Sequence, residues 1–166
     1  MGGDFEVRPA TDLGIVAGLF REYAGSLGID LSYQGFEAEL AGLPGAYAPP
    51  AGALLLAYAL DGDALGCVAI RPLAEAGTCE MKRLHTRPAA RGKGVGRALA
   101  VAAINIATRA GYRSMRLDTL PDMLAAQALY RSLGFETTPP YYDTPIAGTI
   151  FMRKVLAGPY SAISAT

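Results

Sequence analysis

The run Arg91-Gly92-Lys93-Gly94-Val95-Gly96 places three glycines and two cations directly ahead of a stretch rich in alanine and leucine. Where a strand ends and a helix begins, such a run could hold an anion. Glycines let the backbone turn sharply and approach a ligand with no Cβ in the way, and the first amides of a helix have no partners inside it. Those amides, with the positive end of the helix dipole, suit a phosphate group. Arg91, Lys93 and Arg97 would add positive charge at the same place. A tight charged turn without a ligand accounts for the same residues, so the loop alone leaves both readings open.

Two nucleotide-binding patterns fit this loop poorly. A Walker A loop follows Gly-Lys with Ser or Thr to hold magnesium, whereas Gly92-Lys93 is followed by Gly94. A dinucleotide fingerprint ends on Gly or Ala, but the frame from Gly94 ends on Leu99 and the frame from Gly92 on Arg97. Asp118 stands where a ribose-binding acid would, yet the chain after it is too short for the remaining β-α units of such a domain.

Composition narrows the partners. Fifteen basic residues balance fifteen acidic ones, so no overall field drives binding to nucleic acid or an anionic membrane. Half the residues are hydrophobic, 51%, which favours one folded domain over residues 1–166, with a small polar tail from Gly158 to Thr166 as its weak end. No segment reads as a leader or a membrane span, and a cytoplasmic protein is expected. Cys67 and Cys79 read as free, buried thiols. With one histidine and no ligand spacing, no metal site is expected.

The elements that must position the loop follow from caps and breakers. Phe5 to Pro9 suggests a strand, Thr11 or Asp12 a cap for a helix ending near Leu27 at Gly28, and Gln34 to Leu40 a second helix. The apolar run Ala53 to Tyr58, the turn Asp61-Gly62, Leu65 to Arg71, and Thr78 to Thr86 form a three-strand meander. A helix from Val95 to about Ala110, a strand from Ser114 to Thr119, a helix from Asp122 to Leu133 and a strand from Thr149 to Leu156 complete the order β-α-α-β-β-β-α-β-α-β. That order predicts a mixed sheet flanked by helices, an α+β or α/β layered domain.

From about Leu65 to Leu156 the arrangement resembles the GNAT superfamily of N-acetyltransferases. Arg91, Gly94 and Gly96 match its Arg/Gln-x-x-Gly-x-Gly/Ala signature. Ala126-Gln127-Ala128-Leu129-Tyr130-Arg131-Ser132-Leu133-Gly134-Phe135 looks like its late helix. The resemblance implies a mostly antiparallel layered fold that transfers acetyl from acetyl-coenzyme A to a primary amine, without metal. By it, the main chain of Leu84, His85 and Thr86 would contact the acetyl group and pantetheine arm, and the amides of Arg91, Gly92, Lys93, Gly94, Val95, Gly96 and Arg97 would take the pyrophosphate. Tyr130 would be the general acid for the leaving thiolate, and Glu80, eleven residues before Arg91, the general base. Many relatives carry an asparagine where this chain has Met123, and a methionine cannot donate the same hydrogen bonds.

A base matters because a lysine-like acceptor amine is mostly protonated at neutral pH, and removing that proton costs roughly 4 to 5 kcal/mol at pH 7. Glu80 reads equally as a strand carboxylate paired with Lys82 or Arg83. His85 should alternate away from Glu80, Lys82 and Leu84 on a regular strand, which makes it structural. Tyr141 and Tyr142 could line an acceptor pocket or simply cover a turn. Tyr23, Tyr33 and Phe36 would form one wall of the acceptor site, or core. Neither cysteine has a base beside it to support a covalent route. The acceptor, a small molecule or a protein amine, is open, as is assembly into a homodimer. A module that binds acyl-coenzyme A without catalysis, and a nicotinamide oxidoreductase, are the competing readings.

Overall fold

The computed structural model describes residues 4–157, so the tail expected beyond Gly158 lies outside the described residues. Seven strands form one sheet in the order β1-β2-β3-β4-β5-β7-β6. They are β1 (Phe5–Pro9), β2 (Ala53–Ala59), β3 (Ala64–Pro72), β4 (Thr78–Thr86), β5 (Ser114–Thr119), β6 (Glu136–Thr138) and β7 (Ile150–Val155). Neighbours run antiparallel except β4 and β5, which are parallel.

The sheet is covered on both faces, which explains the unbroken apolar run in β2. Ala53, Leu55 and Ala57 turn to one core and Leu54, Leu56 and Tyr58 to the other, so no position can be polar. On the first face lie α3 (Val95–Arg109) and α4 (Leu124–Ser132). The α3 stripe Val95, Leu99, Ala103 and Ala107 recurs every four residues and is fully buried. On the second face lie α1 (Leu13–Leu27) and α2 (Phe36–Ala41), which contribute Val16, Leu19, Phe20, Phe36 and Leu40. Asp12 caps α1, its carboxylate accepting from the amides of Gly14 and Ile15 at 2.9 and 3.2 Å, and Gly28 ends it. Among the described residues no helix is long and apolar enough to cross a membrane.

Three local expectations change. The second helix runs Phe36–Ala41 and not Gln34 to Leu40, because Leu31–Gln34 is a 3₁₀ turn and Gly35, at φ 70°, interrupts the helical backbone. The late helix is trimmed to Leu124–Ser132, and β6, three residues long, was not expected at all. A strand that short has no period to read and exists through its pairing with β7.

The third change concerns β4. Opposite it, Ala69 pairs with Lys82 and Cys67 with His85, so two steps on β3 are matched by three on β4. The extra residue makes a bulge at Arg83, the only non-glycine among the described residues with left-handed backbone, at φ 60°. That conformation costs about 1–2 kcal/mol. Its consequence is that His85 falls on the face that carries Glu80 and Lys82, contrary to strict alternation.

Candidate active site

β4 pairs with β5 only from Thr78 to Glu80, opposite Ser114 to Arg116. Beyond Glu80 the two strands part, and the β5-facing edge of Leu84, His85 and Thr86 is left unpaired beside a cleft of about 540 Å³. The residues expected at the coenzyme line this cleft, from Leu84, His85 and Thr86 to Arg91, Gly92, Gly94, Val95, Gly96 and Arg97; Lys93 does not.

Gly94 caps α3 at φ 82° with no side-chain partner for the amides that follow it. A Cβ on Gly92 or Gly94 would meet nothing within 4 Å, and both glycines border the open cleft with Val95, Gly96 and Arg97. The loop therefore combines left-handed backbone that favours glycine, uncapped helix amides and room for an anion.

Met123 also lines the cleft. It occupies the N-cap of α4 and makes no capping hydrogen bond. Met123→Asn would supply that cap, and we expect a melting temperature about 2–4 °C higher, read by thermal unfolding with the coenzyme absent. An unchanged midpoint would show that the α4 terminus gains nothing from a cap.

A second, smaller cavity lies against the β4–β5 gap under α1 and the turn Leu31–Gln34, with about 30 Å³ of free space, enough for a water molecule. Lys82, Arg83, Gln34, Tyr33 and Asp118 reach it. Tyr23, Leu84 and Tyr130 border both spaces, so these three mark the boundary, or neck, where the two meet. Tyr130 is 7% exposed, packs edge-on against Phe135 at 5.8 Å, and its hydroxyl has no hydrogen-bond partner among the described residues. Burial, with Tyr23 and Asp118 nearby, pushes its pKa above the usual tyrosine value, so it is protonated at neutral pH. Burial likewise raises Tyr23 to about 12.

The two carboxylates near this neck are placed differently. Glu80 is 1% exposed and lines neither space. Its oxygens are taken by the guanidinium of Arg71 at 2.7 Å and the hydroxyl of Tyr141 at 2.5 Å, so its cation is Arg71, not Lys82 or Arg83. Asp118 faces the smaller cavity and accepts a hydrogen bond from Tyr142. Tyr141 and Tyr142 therefore hold carboxylates from behind, packed around Phe151. Tyr33 lines the smaller cavity, and Phe36 is core.

His85 stays apart from this group. It is buried, its Nε2 lies 3.6 Å from Glu22 with no hydrogen-bond partner among the described residues, and burial lowers its pKa. Sequence reasoning missed Lys82, Gln34 and Asp118 as cavity residues. Alternation in Ser114–Thr119 was the available signal for Asp118, since Met115 and Leu117 are core and Asp118 must face away from them.

The chain matches the Acetyltransferase (GNAT) family over residues 20–135. It belongs to that family. An uncharacterized N-acetyltransferase of Schizosaccharomyces pombe is 46% identical over 135 residues, covering 81% of this chain and 83% of that protein. The human N-acetylaspartate synthetase is 36% identical over 89 residues, 54% of this chain and 30% of its own. A phosphinothricin acetyltransferase from Sinorhizobium meliloti, solved in complex with acetyl-CoA, shares the fold with a TM-score of 0.70 at 21% identity, covering 94% of this chain and 91% of that one. This GNAT protein is accordingly an N-acetyltransferase that moves the acetyl group of acetyl-CoA to an amine.

Proposed function

We propose that the larger cleft holds coenzyme A with its pyrophosphate on the α3 amides and its thioester at the neck, where an amine entering from the smaller cavity attacks it directly. The observation that carries this reading is that Tyr130 borders both spaces, with its hydroxyl unengaged among the described residues. The hydroxyl donates a hydrogen bond to sulfur as the carbon–sulfur bond breaks. Asp118, on the cavity wall, receives the amine proton directly or through water. Glu80, sealed behind Arg71 and Tyr141, positions the wall.

Direct attack is supported by the cysteines. Cys67 and Cys79 are 1% and 0% exposed and line neither space, and burial raises both thiols, Cys79 to about 12. Little thiolate is available to carry an acetyl group.

The test combines calorimetry with thiol release. Wild type should bind acetyl-CoA and release free coenzyme A only when an amine acceptor is supplied. Gly94→Val forces a β-branched residue into left-handed backbone and sets its side chain in the open space before the amides. We expect acetyl-CoA affinity to fall by about 30-fold or more, roughly 2 kcal/mol, with the protein still folded. Wild-type affinity in a folded Gly94→Val protein excludes the cradle.

A further inference from the structure

Lys82 is 6% exposed, yet among the described residues no carboxylate lies within ion-pair distance of it. Its ammonium donates to Gln34 Oε1 at 3.2 Å. Arg83 donates to the same oxygen at 2.9 Å, while its other edge is held by both oxygens of Glu39 at 2.9 Å. Consecutive strand residues normally point to opposite faces. The bulge at Arg83 is what lets both cations converge on one atom.

A single neutral carbonyl oxygen is a poor occupant for that position. A carboxylate there would add ion-pair attraction to the hydrogen bonds that the neutral amide oxygen accepts from both cations, and a buried ammonium without a contacting counter-ion has its desolvation only partly offset. Burial lowers the pKa of Lys82, while Glu80 and Asp118 pull it back up. Across the cavity the wall is anionic. Asp118 projects from β5, and the amide nitrogen of Gln34 turns toward the hydroxyls of Tyr33 and Tyr142, at 3.1 and 3.5 Å. The cavity thus has a cationic pole on β4 and an anionic pole on β5, with the neck beside them.

Resting on the acetyl-transfer reading above, we propose that the acceptor is a small amino acid. Its carboxylate takes the place of Gln34 Oε1 between Lys82 and Arg83, and its amine faces Asp118 and the neck. Polyamines and aminoglycosides carry only positive charge, and they would bring it against the two buried cations. The limited free space means the Gln34 amide swings out when the acceptor enters, which confines the acceptor to a short side chain. In the transfer step the ammonium gives one proton to Asp118, the nitrogen bonds to the thioester carbon, and the carbon–sulfur bond breaks with its electron pair going to sulfur. Tyr130 gives its hydroxyl proton to the sulfur, which leaves as the thiol, and the nitrogen's second proton passes to the Tyr130 oxygen, directly or through water, as the amide forms; Asp118 then releases its proton to solvent.

The experiment measures acetyl-CoA thiol release with glycine, alanine and aspartate, each beside its α-carboxamide and the amine lacking the α-carboxyl group, and with spermidine. We expect kcat/KM for at least one amino acid to exceed that of its carboxamide by roughly 30- to 100-fold, the loss of a charge-assisted hydrogen bond. Lys82→Met should collapse that ratio to within about threefold while acetyl-CoA affinity by calorimetry and the melting temperature are preserved, since an apolar side chain of similar length fills the buried site. Gln34→Glu, which plants an internal carboxylate between the cations, should raise KM for the amino acid more than it lowers kcat. Equal use of carboxamides or of spermidine, or selectivity retained in Lys82→Met, overturns the acceptor assignment and leaves acetyl transfer standing. No release with any of these amines, despite acetyl-CoA binding, overturns the acceptor assignment, and release of free coenzyme A without any amine overturns direct transfer.

Discussion

Tyr130→Phe is expected to lower kcat by about 100-fold while acetyl-CoA affinity stays within about twofold of wild type. The substitution removes one oxygen and keeps the ring, so the edge-on contact with Phe135 and the packing of α4 on the sheet survive. The lost oxygen makes no hydrogen bond to the described residues, so folding has little to lose. What disappears is a donor aimed at the neck. A hundredfold is about 2.7 kcal/mol, the size of one hydrogen bond to a charge developing away from bulk water. Because burial, Tyr23 and Asp118 disfavour the phenolate, the hydroxyl keeps its proton in the resting enzyme, as the proposed donor to sulfur must. Steady-state kinetics and calorimetry on the same preparation decide the matter. A kcat within threefold of wild type sinks the role, and a large rise in the acetyl-CoA dissociation constant reassigns Tyr130 to binding.

Asp118→Asn is expected to lower kcat/KM for the amine by about 1000-fold near neutral pH, within the range for loss of a positioned base. Asparagine keeps an oxygen for the Tyr142 hydroxyl, so the loop contact remains and the charge alone is removed. The deficit should shrink as pH rises, because a free amine no longer needs a base once pH approaches its pKa of about 10. A merely structural defect would persist across the same range. Glu80→Gln provides the contrast. It breaks a buried carboxylate's pairing with Arg71, whose own side chain is 35% exposed, and should cost about 1–3 kcal/mol of stability with kcat within a few fold of wild type. If Glu80→Gln abolishes turnover in folded protein while Asp118→Asn does not, the two carboxylates exchange roles.

The contrast between these carboxylates separates what is written locally from what is not. Sequence by itself determined the features that neighbours in the chain decide. Asp12 and Gly28 bracket α1 because a cap and a stop act within one turn, and Gly92 and Gly94 open α3 because the positive φ that both adopt is a conformation glycine takes without steric cost. The apolar run in β2 announced a strand, and the two half-signatures around Gly94 and Tyr130 sufficed for the family.

Tertiary structure alone decided which polar groups meet. Nothing near Arg83 announces a bulge, because it is set by register against β3, and that one extra residue turns His85, Lys82 and Arg83 to the same face. Arg71 took Glu80 across a strand pair, Tyr141 and Tyr142 arrived from a loop about sixty and twenty-four residues away, and the parting of β4 from β5 opened the neck. Pairing between strands and loop closure are non-local, so a carboxylate's neighbours cannot be read from its own stretch of chain. The glycine loop was legible because backbone geometry makes it; the smaller cavity was not, because side chains from five separate segments do.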